Sequence, residues 1–354
     1  MSNLLVTGGA GFIGGNFVHY WNAHHCDDTL VVLDALTYAG NPSTIADTNV
    51  ELVKGNVNDT KLVETLLIDY HIDTIVHFAA ESHVDRSISG PDAFLDTNIL
   101  GTHSLLKAAR EVWLDRGSGE DHRFHHISTD EVFGSLGPKE APFSEKTAYA
   151  PNSPYSASKA ASDHLVRAYH ATFGLDVTTS NCSNNYGPYQ YPEKLIPLFL
   201  LRALSGQSLP IYGDGMNVRD WLHVEDHCRG IEACLMRGQP GETYNIGGGA
   251  EVPNMFVVDA ICTWVDRAFE EIDGMSQRFP NAPAAKGQAT QSLKTFVEDR
   301  SGHDRRYAID ASKAARELNY QPQFEFERGL GGTLRWYLDN EAWWGPLVGS
   351  GLAG

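Results

Sequence analysis

Tyr155 and Lys159 are the pair of residues whose types and spacing point most directly to chemistry. They stand four positions apart, and on a helix such positions share one face. An ammonium beside a phenol favours the phenolate and lowers a pKa that is about 10 in model peptides. Such a phenol could take a hydroxyl proton while hydride leaves the same carbon. An isolated pair of this kind is more often an ordinary surface contact, so its meaning depends on the surrounding sequence.

A second reactive group lies in Ser128-Thr129-Asp130-Glu131, directly after a predicted buried strand. Residues at the carboxyl ends of parallel strands face the ligand crevice. Thr129 can hydrogen-bond the hydroxyl that Tyr155 deprotonates. Simple hydride transfer needs no carboxylates, whereas elimination of water needs one acid and one base, as Asp130 and Glu131 would supply. The alternative is that these carboxylates only cap a helix.

Glycines Gly8, Gly11 and Gly14 follow the first predicted strand and open the first predicted helix. Glycine is needed where backbone approaches a pyrophosphate and where helix touches strand. Asp34 ends the next predicted strand, where a carboxylate accepts hydrogen bonds from ribose hydroxyls and repels a 2′-phosphate. The pattern predicts a site for NAD rather than NADP, with a bare strand-to-helix turn as the alternative.

The elements that must position these groups alternate between short apolar runs and helical patterns. The predicted buried strands are Leu4–Thr7, Leu30–Leu33, Glu51–Val53, Thr74–Phe78, Phe124–Ile127 and one after Leu175. The predicted helices are Gly14–His24, Thr60–Tyr70, Asn98–Trp113, one after Ser153, Glu193–Ser205, Val224–Arg237, Met255–Ile272 and Ser312–Leu318. This alternation predicts an α/β fold, a Rossmann-type doubly wound parallel sheet with a smaller, mixed α/β substrate-binding lobe.

The organisation predicted from this pattern has three parts. Residues 1–183 form an NAD-binding Rossmann domain, and residues 184–342 form mainly the substrate lobe, with segments that return to the first domain. The stretch from Gln277 to Gln291 is predicted to be a surface loop, and residues 343–354 a loose, glycine-rich tail.

Bulk composition narrows the function classes. The chain has 354 residues, 42% of them hydrophobic, and a formal net charge of −18, which argues against a nucleic-acid binder. Five cysteines without a CxxC pair, and histidines at 122–126 without ligand spacing, predict no disulfide framework and no metal site. No apolar run is long enough for a membrane span. A cytoplasmic location is expected.

Several longer motifs resemble one family, the extended short-chain dehydrogenases that modify nucleotide sugars. The motifs are the glycine turn, the Tyr155/Lys159 pair and Asn184-Asn185-Tyr186-Gly187-Pro188. The Thr129-Asp130-Glu131 triplet resembles the 4,6-dehydratase branch of that family. Segments 36–41, 79–87, 181–189, 193–197 and 302–310 are similar to the members of that branch that act on dTDP-glucose. The resemblance covers roughly residues 3 to 340.

This resemblance implies roles residue by residue. Catalytic roles fall on Thr129, Asp130, Glu131, Tyr155 and Lys159. Cofactor contacts fall on Gly8, Gly11, Phe12, Ile13, Gly14, Asp34, Leu36, Thr37, Asn56, Val57, Ala79, Ala80, Ser82, Thr97, Tyr155, Lys159 and Asn184. Substrate contacts fall on Ser82, Thr129, Asn185, Lys194, Leu195, Pro210, Ile211, Tyr212, Arg219, Asn254, Arg300 and His303. The guanidinium of Arg219 suits the oxygens of the substrate diphosphate. The alternative is that Arg219 forms an ion pair with a neighbouring acid such as Asp220. Tyr212 is expected to stack on the base, or else to pack within a strand.

Three positions depart from the family pattern. Asn56 replaces an aspartate that, in the family, accepts a hydrogen bond from the adenine amino group. The amide oxygen of Asn56 can still accept that hydrogen bond. Phe133 replaces a tyrosine of the family pattern, and Ser301 replaces a proline. None of these changes removes a reacting group.

The implied activity is oxidation at carbon 4 of the sugar, elimination of water across carbons 5 and 6, and reduction at carbon 6, giving a 4-keto-6-deoxy sugar. Tyr155, Glu131 and Asp130 would act in turn, with NAD retained throughout. Alternatives are a 4,6-dehydratase for another nucleotide sugar, such as CDP-glucose or GDP-mannose, a 4-epimerase or decarboxylase, or a catalytically silent NAD-binding regulator. The family resemblance also implies a homodimer formed through Asn98–Trp113 and Ser153–Phe173.

Overall fold

The computed structural model describes residues 2–117, 121–299 and 304–348. The strands are β1 (Asn3–Thr7), β2 (Thr29–Asp34), β3 (Glu51–Lys54), β4 (Thr74–His77), β5 (Arg123–Thr129), β6 (Val177–Cys182), β7 (Asn184–Tyr186), β8 (Leu209–Tyr212), β9 (Val218–His223), β10 (Thr243–Ile246), β11 (Glu251–Pro253) and β12 (Lys294–Val297).

The helices are α1 (Phe12–His24), α2 (Thr60–Asp69), α3 (Val84–Ser89), α4 (Asp92–Phe94), α5 (Thr102–Ala109), α6 (Pro154–Phe173), α7 (Leu195–Ser205), α8 (Val224–Arg237), α9 (Asn254–Glu271), α10 (Met275–Arg278), α11 (Ser312–Leu318), α12 (Phe326–Asp339) and α13 (Glu341–Val348). Short 3₁₀ turns lie at Pro42–Thr44, Asp130–Phe133, Ala284–Lys286 and Thr290–Leu293.

Seven parallel strands form the central sheet in the order β10-β6-β5-β4-β1-β2-β3. The order reverses between β1 and β4, which makes the crevice at their carboxyl ends the switch point where such sheets bind ligands. The predicted α/β fold class is confirmed. The last strand, β10, comes from the second half of the chain, so that half returns to the sheet.

The strands are apolar runs because helices cover both faces of the sheet. Leu4, Leu5 and Val6 of β1 are all fully buried. One face packs against Phe17 and Trp21 of α1 together with Cys228 and Ile231 of α8. The opposite face packs against α2, α5 and α6. Both layers remove the strands from water, so polar groups reach a ligand only at the carboxyl edge.

Helix α6, which carries the Tyr/Lys pair, has strong start and stop signals. Ser153 caps its first turn in a capping box with Ser156, and Pro154 occupies the first helical position. Gly174 ends the helix with φ of 75°, a left-handed conformation that suits glycine. The helix therefore begins one residue before Tyr155, and its first turns stand at the carboxyl edge of the sheet.

The second half of the chain builds its own hydrophobic core. Helices α7, α9 and α12 pack together around Phe199, Ile261, Leu334 and Tyr337. Beside them stand a three-stranded sheet, β11-β9-β7, and a two-stranded sheet, β12-β8. These small sheets flank the carboxyl edge of the large sheet and can supply side chains to it.

Two regions predicted to be irregular contain ordered contacts. The predicted loose tail begins with helix α13, because Trp343 is buried and its indole Nε1 donates a hydrogen bond to Thr44 Oγ1 at 3.2 Å. The predicted surface loop at 277–291 contains helical turns and is anchored where buried Thr290 donates to Asp266. Local composition did not reveal either tertiary contact.

The predicted helix over Asn98–Trp113 is one helical stretch that changes geometry twice. Leu95–Gly101 and Arg110–Asp115 are π-helical and flank the regular turns of α5. Across the described ranges, the structure contains no helix with the length and apolar character of a membrane span.

Candidate active site

A cavity of about 350 Å³ opens at the carboxyl ends of the central strands. It brings together the glycine turn, Asp34, the Thr129-Asp130-Glu131 triplet, Tyr155 and Lys159. The other predicted cofactor residues that line it are Phe12, Ile13, Thr37, Asn56, Val57, Ala79, Ala80, Ser82, Thr97 and Asn184. Residues spread over the first half of the chain thus meet in one place.

The glycine turn is too tightly packed to accept side chains. A Cβ on Gly8, whose φ is 71°, would stand 2.7 Å from the backbone nitrogen of Ala79. A Cβ on Gly14 would stand 2.4 Å from the carbonyl oxygen of Gly8. The backbone at the start of α1 is therefore open to a ligand, with the helix N-terminus available for a diphosphate.

Asp34 is fixed at the end of β2 by two backbone hydrogen bonds. Its Oδ2 accepts from Ala10 N at 3.0 Å and its Oδ1 from Leu36 N at 2.8 Å. Burial raises the pKa of this carboxyl, and the two backbone bonds oppose the rise. Leu36 itself has a positive φ of 51° and does not line the cavity, so its role is to turn the chain around the carboxylate.

These features fit an adenine dinucleotide. The carboxylate of Asp34 stands beside the glycine turn, as ribose recognition requires. Farther along the cavity, the buried side-chain oxygen of Asn184 has no hydrogen-bond partner among the described residues. A donor from a bound group would satisfy it.

Tyr155 and Lys159 both line the cavity and are almost fully buried, at 8% and 5% exposure. Lys159 Nζ donates a 2.7 Å hydrogen bond to the carbonyl oxygen of Ile127 in β5. Burial raises the pKa of Tyr155 well above its usual value; neighbouring Glu131 and Cys182 add to the rise, and a hydrogen bond with Thr129 lowers it. Lys159 is not among the groups that shift the pKa of Tyr155 here, and burial is the largest cause of the rise.

Thr129 occupies the helix-cap position that the alternative interpretation gave to the carboxylates. Its Oγ1 accepts a hydrogen bond from Glu131 N at 3.3 Å and donates a long one, 3.4 Å, to Asp130 Oδ1. The second oxygen of Asp130 is buried and has no hydrogen-bond partner within the described ranges. The carboxylates are thus not consumed by capping and remain available to a ligand.

The two carboxyl groups differ in their electrostatic surroundings. The pKa of Asp130 is raised well above its usual value by burial, then by Glu131 and Asp220, against the lowering effect of Arg219. The pKa of Glu131 is also raised by burial, but both Arg219 and Lys194 oppose that rise. Neighbouring carboxyl groups thus oppose the charged form of Asp130, whereas two cations favour the charged form of Glu131.

Two predicted substrate residues stand at the second-lobe side of the cavity. Asn185 is held by His227, whose Nδ1 lies 2.9 Å from Asn185 Oδ1, and by its own bond to Ser183 O at 2.9 Å. Lys194 Nζ donates to Ser82 O at 3.2 Å, which places its charge at the cavity wall.

Other predicted substrate residues lie outside the cavity lining, on neighbouring elements of the second lobe. They are Leu195, Pro210, Ile211, Tyr212, Arg219 and Asn254. Pro210, Ile211 and Tyr212 belong to β8 and pair with β12. Arg300 and His303, together with Ser301, lie outside the described residues.

Arg219 does not form the ion pair with Asp220 that was its alternative role. Its guanidinium donates to the carbonyl oxygens of Val218 at 2.8 Å and Asp304 at 2.9 Å, and lies 4.4 Å from the ring centre of Tyr307. Asp220 instead accepts from the backbone nitrogens of Gly248 and Ala250. Among the described residues no carboxylate forms an ion pair with Arg219, whose charge lowers the pKa values of Asp130 and Glu131.

A cluster that the sequence arguments missed joins the two halves of the chain at the cavity. Glu193 accepts from Tyr38 OH at 3.2 Å and from Arg86 Nη2 at 3.2 Å, and the Arg86 guanidinium lies 3.7 Å from the centre of the Tyr38 ring. Glu81 lines the cavity nearby, and burial raises its pKa. These residues fall within the motifs that carried the resemblance, but no spacing rule joins residues so distant in sequence.

Two departures from the family pattern have visible consequences. The side-chain oxygen of Asn56 accepts a hydrogen bond from Asn58 N at 2.9 Å, so one of its acceptor positions is used within the turn. Phe133 is buried between Phe143 and Tyr149, with ring centres 5.2 Å from each. Phe133 therefore packs the wall behind the triplet.

Comparisons with known proteins place the chain among sugar-nucleotide enzymes. Residues 5–333 match the family described as GDP-mannose 4,6-dehydratase. A dTDP-glucose 4,6-dehydratase from Xanthomonas campestris pv. campestris (strain B100) is 53% identical over 99% of this chain and 97% of its own length.

Solved structures of sugar-nucleotide enzymes are also similar to this chain. DesIV, a dTDP-glucose 4,6-dehydratase from Streptomyces venezuelae solved with NAD bound, superposes with a TM-score of 0.86 at 46% identity, covering 98% of this chain and 99% of its own. A UDP-glucose 4-epimerase from Thermotoga maritima superposes with a TM-score of 0.80 at 25% identity, covering 95% of this chain and 99% of its own.

We expect Asp130→Asn to change how stability depends on pH. A carboxyl whose pKa is raised on folding stabilises the fold below its unfolded pKa, and that stability is lost as pH rises through the folded pKa. Asparagine cannot ionise, so the unfolding midpoint of the variant should increasingly exceed that of the parent as pH rises from about 4 to 8.

Thermal unfolding of both proteins across that pH range measures this difference. Glu271→Gln, which removes one charge from an exposed side chain, is the matched control. A difference between Asp130→Asn and the parent that stays constant with pH would show that Asp130 ionises normally in the folded protein.

Proposed function

This chain belongs to the GDP-mannose 4,6-dehydratase family, and we propose that it converts dTDP-glucose to dTDP-4-keto-6-deoxyglucose and water, with NAD as a retained cofactor. The observation that carries the proposal is the triplet: two carboxyl groups, both with a raised pKa but with different charged neighbours, stand in the same cavity as Tyr155 and the glycine turn. The substrate base rests on the likeness to the dTDP-glucose 4,6-dehydratases.

The first step concerns the hydroxyl on carbon 4 of the sugar. Thr129 and Tyr155 both line the cavity, where Thr129 would orient this hydroxyl and Tyr155 would deprotonate it. NAD, when bound, would accept hydride from carbon 4, later return it to carbon 6, and bring a positive charge that favours the phenolate of Tyr155. The hydrogen bond from Lys159 Nζ to Ile127 O holds Lys159 on the side of the cavity where Tyr155 lies.

The second step is the elimination. A ketone at carbon 4 acidifies the proton on carbon 5, and Glu131 would remove it as the base. Asp130, the carboxyl with the strongly raised pKa, would protonate the hydroxyl that leaves carbon 6. The assignment of acid and base follows from their surroundings, since Arg219 and Lys194 both favour the charged form of Glu131.

A 4-epimerase is the nearest alternative, since one shares this fold. Epimerisation at carbon 4 requires removal and return of hydride, with no proton abstracted from carbon 5. Two carboxyl groups beside Tyr155 would have no task in that reaction, which favours the dehydratase.

The division of the chain into an NAD domain, residues 1–183, and a mainly sugar-nucleotide lobe, residues 184–342, is part of this proposal. It is supported by the glycine turn in the first part and by Asn185, Lys194 and Arg219 in the second. We also propose a cytoplasmic location, which suits the free thiols of all five cysteines.

A homodimer is the third part of the proposal. Three large apolar side chains are exposed on the helical stretch around α5 and at the end of α6: Leu95 at 46%, Leu100 at 53% and Phe173 at 40%. Apolar side chains grouped on adjacent helices suit a symmetric contact between two copies.

For the cofactor, we expect the purified protein to release NAD(H) and not NADP(H) when it is denatured. Asp34 provides the reason, because its carboxylate repels a 2′-phosphate. Asp34→Ala should weaken NAD binding about 10- to 100-fold, as loss of a charged hydrogen bond does. Chromatography of the released nucleotide and NAD titration of the stripped protein measure both effects, and mainly NADP in the extract would refute the assignment.

For the dimer, Leu100→Glu should shift the sedimentation coefficient from that of a dimer to that of a monomer. A charge buried in an apolar contact without a partner costs several kcal/mol, on the order of the loss for an unpaired buried charge. Phe256→Glu is the matched control, because Phe256 is 59% exposed on α9, away from these helices. Equal sedimentation of parent and Leu100→Glu would remove this surface from consideration.

For the elimination, Glu131→Gln should separate oxidation from loss of water. Glutamine keeps the shape but cannot take the proton from carbon 5, while Thr129, Tyr155 and Lys159 are untouched. Formation of the 6-deoxy product should fall about 10²–10⁴-fold, as for other positioned bases. Absorbance of reduced nicotinamide should persist after dTDP-glucose is added.

Isotopes check the same step in the parent protein. In heavy water, deuterium should enter carbon 5, whereas the hydrogen that moves from carbon 4 to carbon 6 should come from the substrate. Turnover of Glu131→Gln at the parent rate would leave Glu131 as a substrate contact and require another elimination base.

A further inference from the structure

Asn185, a predicted substrate residue on β7, has a side-chain amide whose orientation is fixed by the protein. Its Nδ2 donates a hydrogen bond to the carbonyl oxygen of Ser183 at 2.9 Å. A carbonyl oxygen can only accept, so the amide nitrogen must lie on this side and the amide oxygen on the other. That amide oxygen lies 2.9 Å from Nδ1 of His227. A flipped amide would place two oxygen acceptors against each other at Ser183.

The same contact fixes where His227 carries its proton. An amide oxygen has no hydrogen to donate, so Nδ1 of the imidazole must be the donor. Burial lowers the pKa of His227 to about 3, so the ring is neutral near pH 7 and Nε2 holds a lone pair. Nε2 is buried and has no hydrogen-bond partner within the described ranges. In that part of the chain, the bond to Asn185 is therefore the hydrogen bond for which this side chain is placed.

His227 stands at a fixed position behind β7. It is fully buried on α8, and the residue before it ties that helix to another segment of the chain. Asp226 Oδ2 accepts hydrogen bonds from the backbone nitrogens of Gln323 and Phe324, both at 2.9 Å. A helix held in this way gives the imidazole little freedom to move, so the ring dictates the orientation of Asn185.

Asn185 lines the cavity, whereas His227 does not. After its bonds to Ser183 and His227, the amide of Asn185 retains one N–H and one lone pair for a ligand. A side chain that is already held in its binding orientation loses less conformational freedom when the ligand arrives, which raises affinity. A group that fixes this amide can therefore influence substrate binding without touching the substrate.

We propose that His227 is a positioning residue for the substrate: its Nδ1–H holds the amide oxygen of Asn185, so that the amide is presented to the cavity in one orientation. The inference rests on the proposed function, in which Asn185 contacts dTDP-glucose. His227 acts through Asn185 and exchanges no proton in the reaction. Its loss should therefore raise KM and leave kcat nearly unchanged, since Thr129, Tyr155 and the carboxyl groups are not altered.

Two substitutions at position 227 separate hydrogen bonding from packing. His227→Phe keeps a planar ring but has no donor, and it should raise the KM for dTDP-glucose about tenfold, as for the loss of one hydrogen bond. His227→Asn keeps a donor, because its Nδ2 is two bonds from Cβ, as Nδ1 of histidine is. The KM of His227→Asn should stay close to that of the parent.

A role in packing alone predicts the opposite order. Phenylalanine fills the space of the imidazole, whereas asparagine leaves a cavity. Thermal unfolding of both variants measures the packing effect separately from KM. A KM that rises as much in His227→Asn as in His227→Phe, or a kcat that falls in both with KM unchanged, would overturn the inference.

A double variant tests whether His227 acts through Asn185. Asn185→Ala should raise KM by itself, and adding His227→Phe should then raise it little further, because the amide that His227 holds is already absent. If His227→Phe raised KM by the same factor in both backgrounds, His227 would act on another group.

NMR of isotope-labelled imidazole nitrogens tests the hydrogen bond without substrate and in the parent protein. The signals that disappear in His227→Asn belong to His227. We expect a neutral ring with a proton on Nδ1 and none on Nε2. A proton on Nε2 instead would contradict the inference, whether or not the two position-227 variants fold.

These measurements separate the inference from the proposed function. A parent protein that forms no 4-keto product from dTDP-glucose would refute the proposed function, whereas the NMR measurement would still report on the bond between His227 and Asn185. Normal dehydratase activity combined with an unchanged KM in His227→Phe would refute only the role of His227.

Discussion

Desolvation at the carboxyl edge of the parallel sheet is the constraint on which the rest of the structure depends. Helices on both faces leave the strands no contact with water, and Asp130, Tyr155 and Lys159 at this edge are buried in protein. Burial is the largest influence on the pKa values of Asp130, Glu131, Tyr155 and Lys159. It favours the neutral form of each, and the remaining contacts decide how far each departs from neutrality.

Those remaining contacts give chemically similar groups different roles. Asp130 and Glu131 are adjacent carboxyl groups, yet Asp220 raises the pKa of the first while Lys194 lowers that of the second. A neighbouring carboxyl, Glu131, adds to the rise in the pKa of Tyr155, whereas burial lowers that of Lys159. In a medium of low dielectric constant, a single charge several ångströms away is enough to separate an acid from a base.

Much of the fold could be predicted because its signals are local. The glycine turn, buried strands and helices such as Val224–Arg237 follow from periodicity and capping, and the structure confirms the parallel sheet. The failures have one origin, namely contacts between residues far apart in sequence. Trp343 is buried against Thr44, and burial raises the pKa of Tyr155, because burial is a property of the whole fold.

Prediction of the site from sequence has the same limit. Motifs identified the triplet and the Tyr/Lys pair, and the structure places both in one cavity. Neither the bridge from Tyr38 through Glu193 to Arg86 nor the effect of Arg219 on Glu131 could be derived from spacing, since each joins segments more than eighty residues apart. Such groupings exist only once β7, β9 and α7 fold against the carboxyl edge of the large sheet.

Specific chemistry therefore arises where the two halves of the chain meet. The nucleotide turn, the phenol and both carboxyl groups come from the first half, whereas the cations that tune the carboxyls, Arg219 and Lys194, come from the second. An epimerase at 25% identity keeps the same overall fold, so the fold alone does not select the reaction. In the proposed reaction the two carboxyl groups beside the phenol would make the difference, and charges from the second half of the chain reach them at the edge of the first.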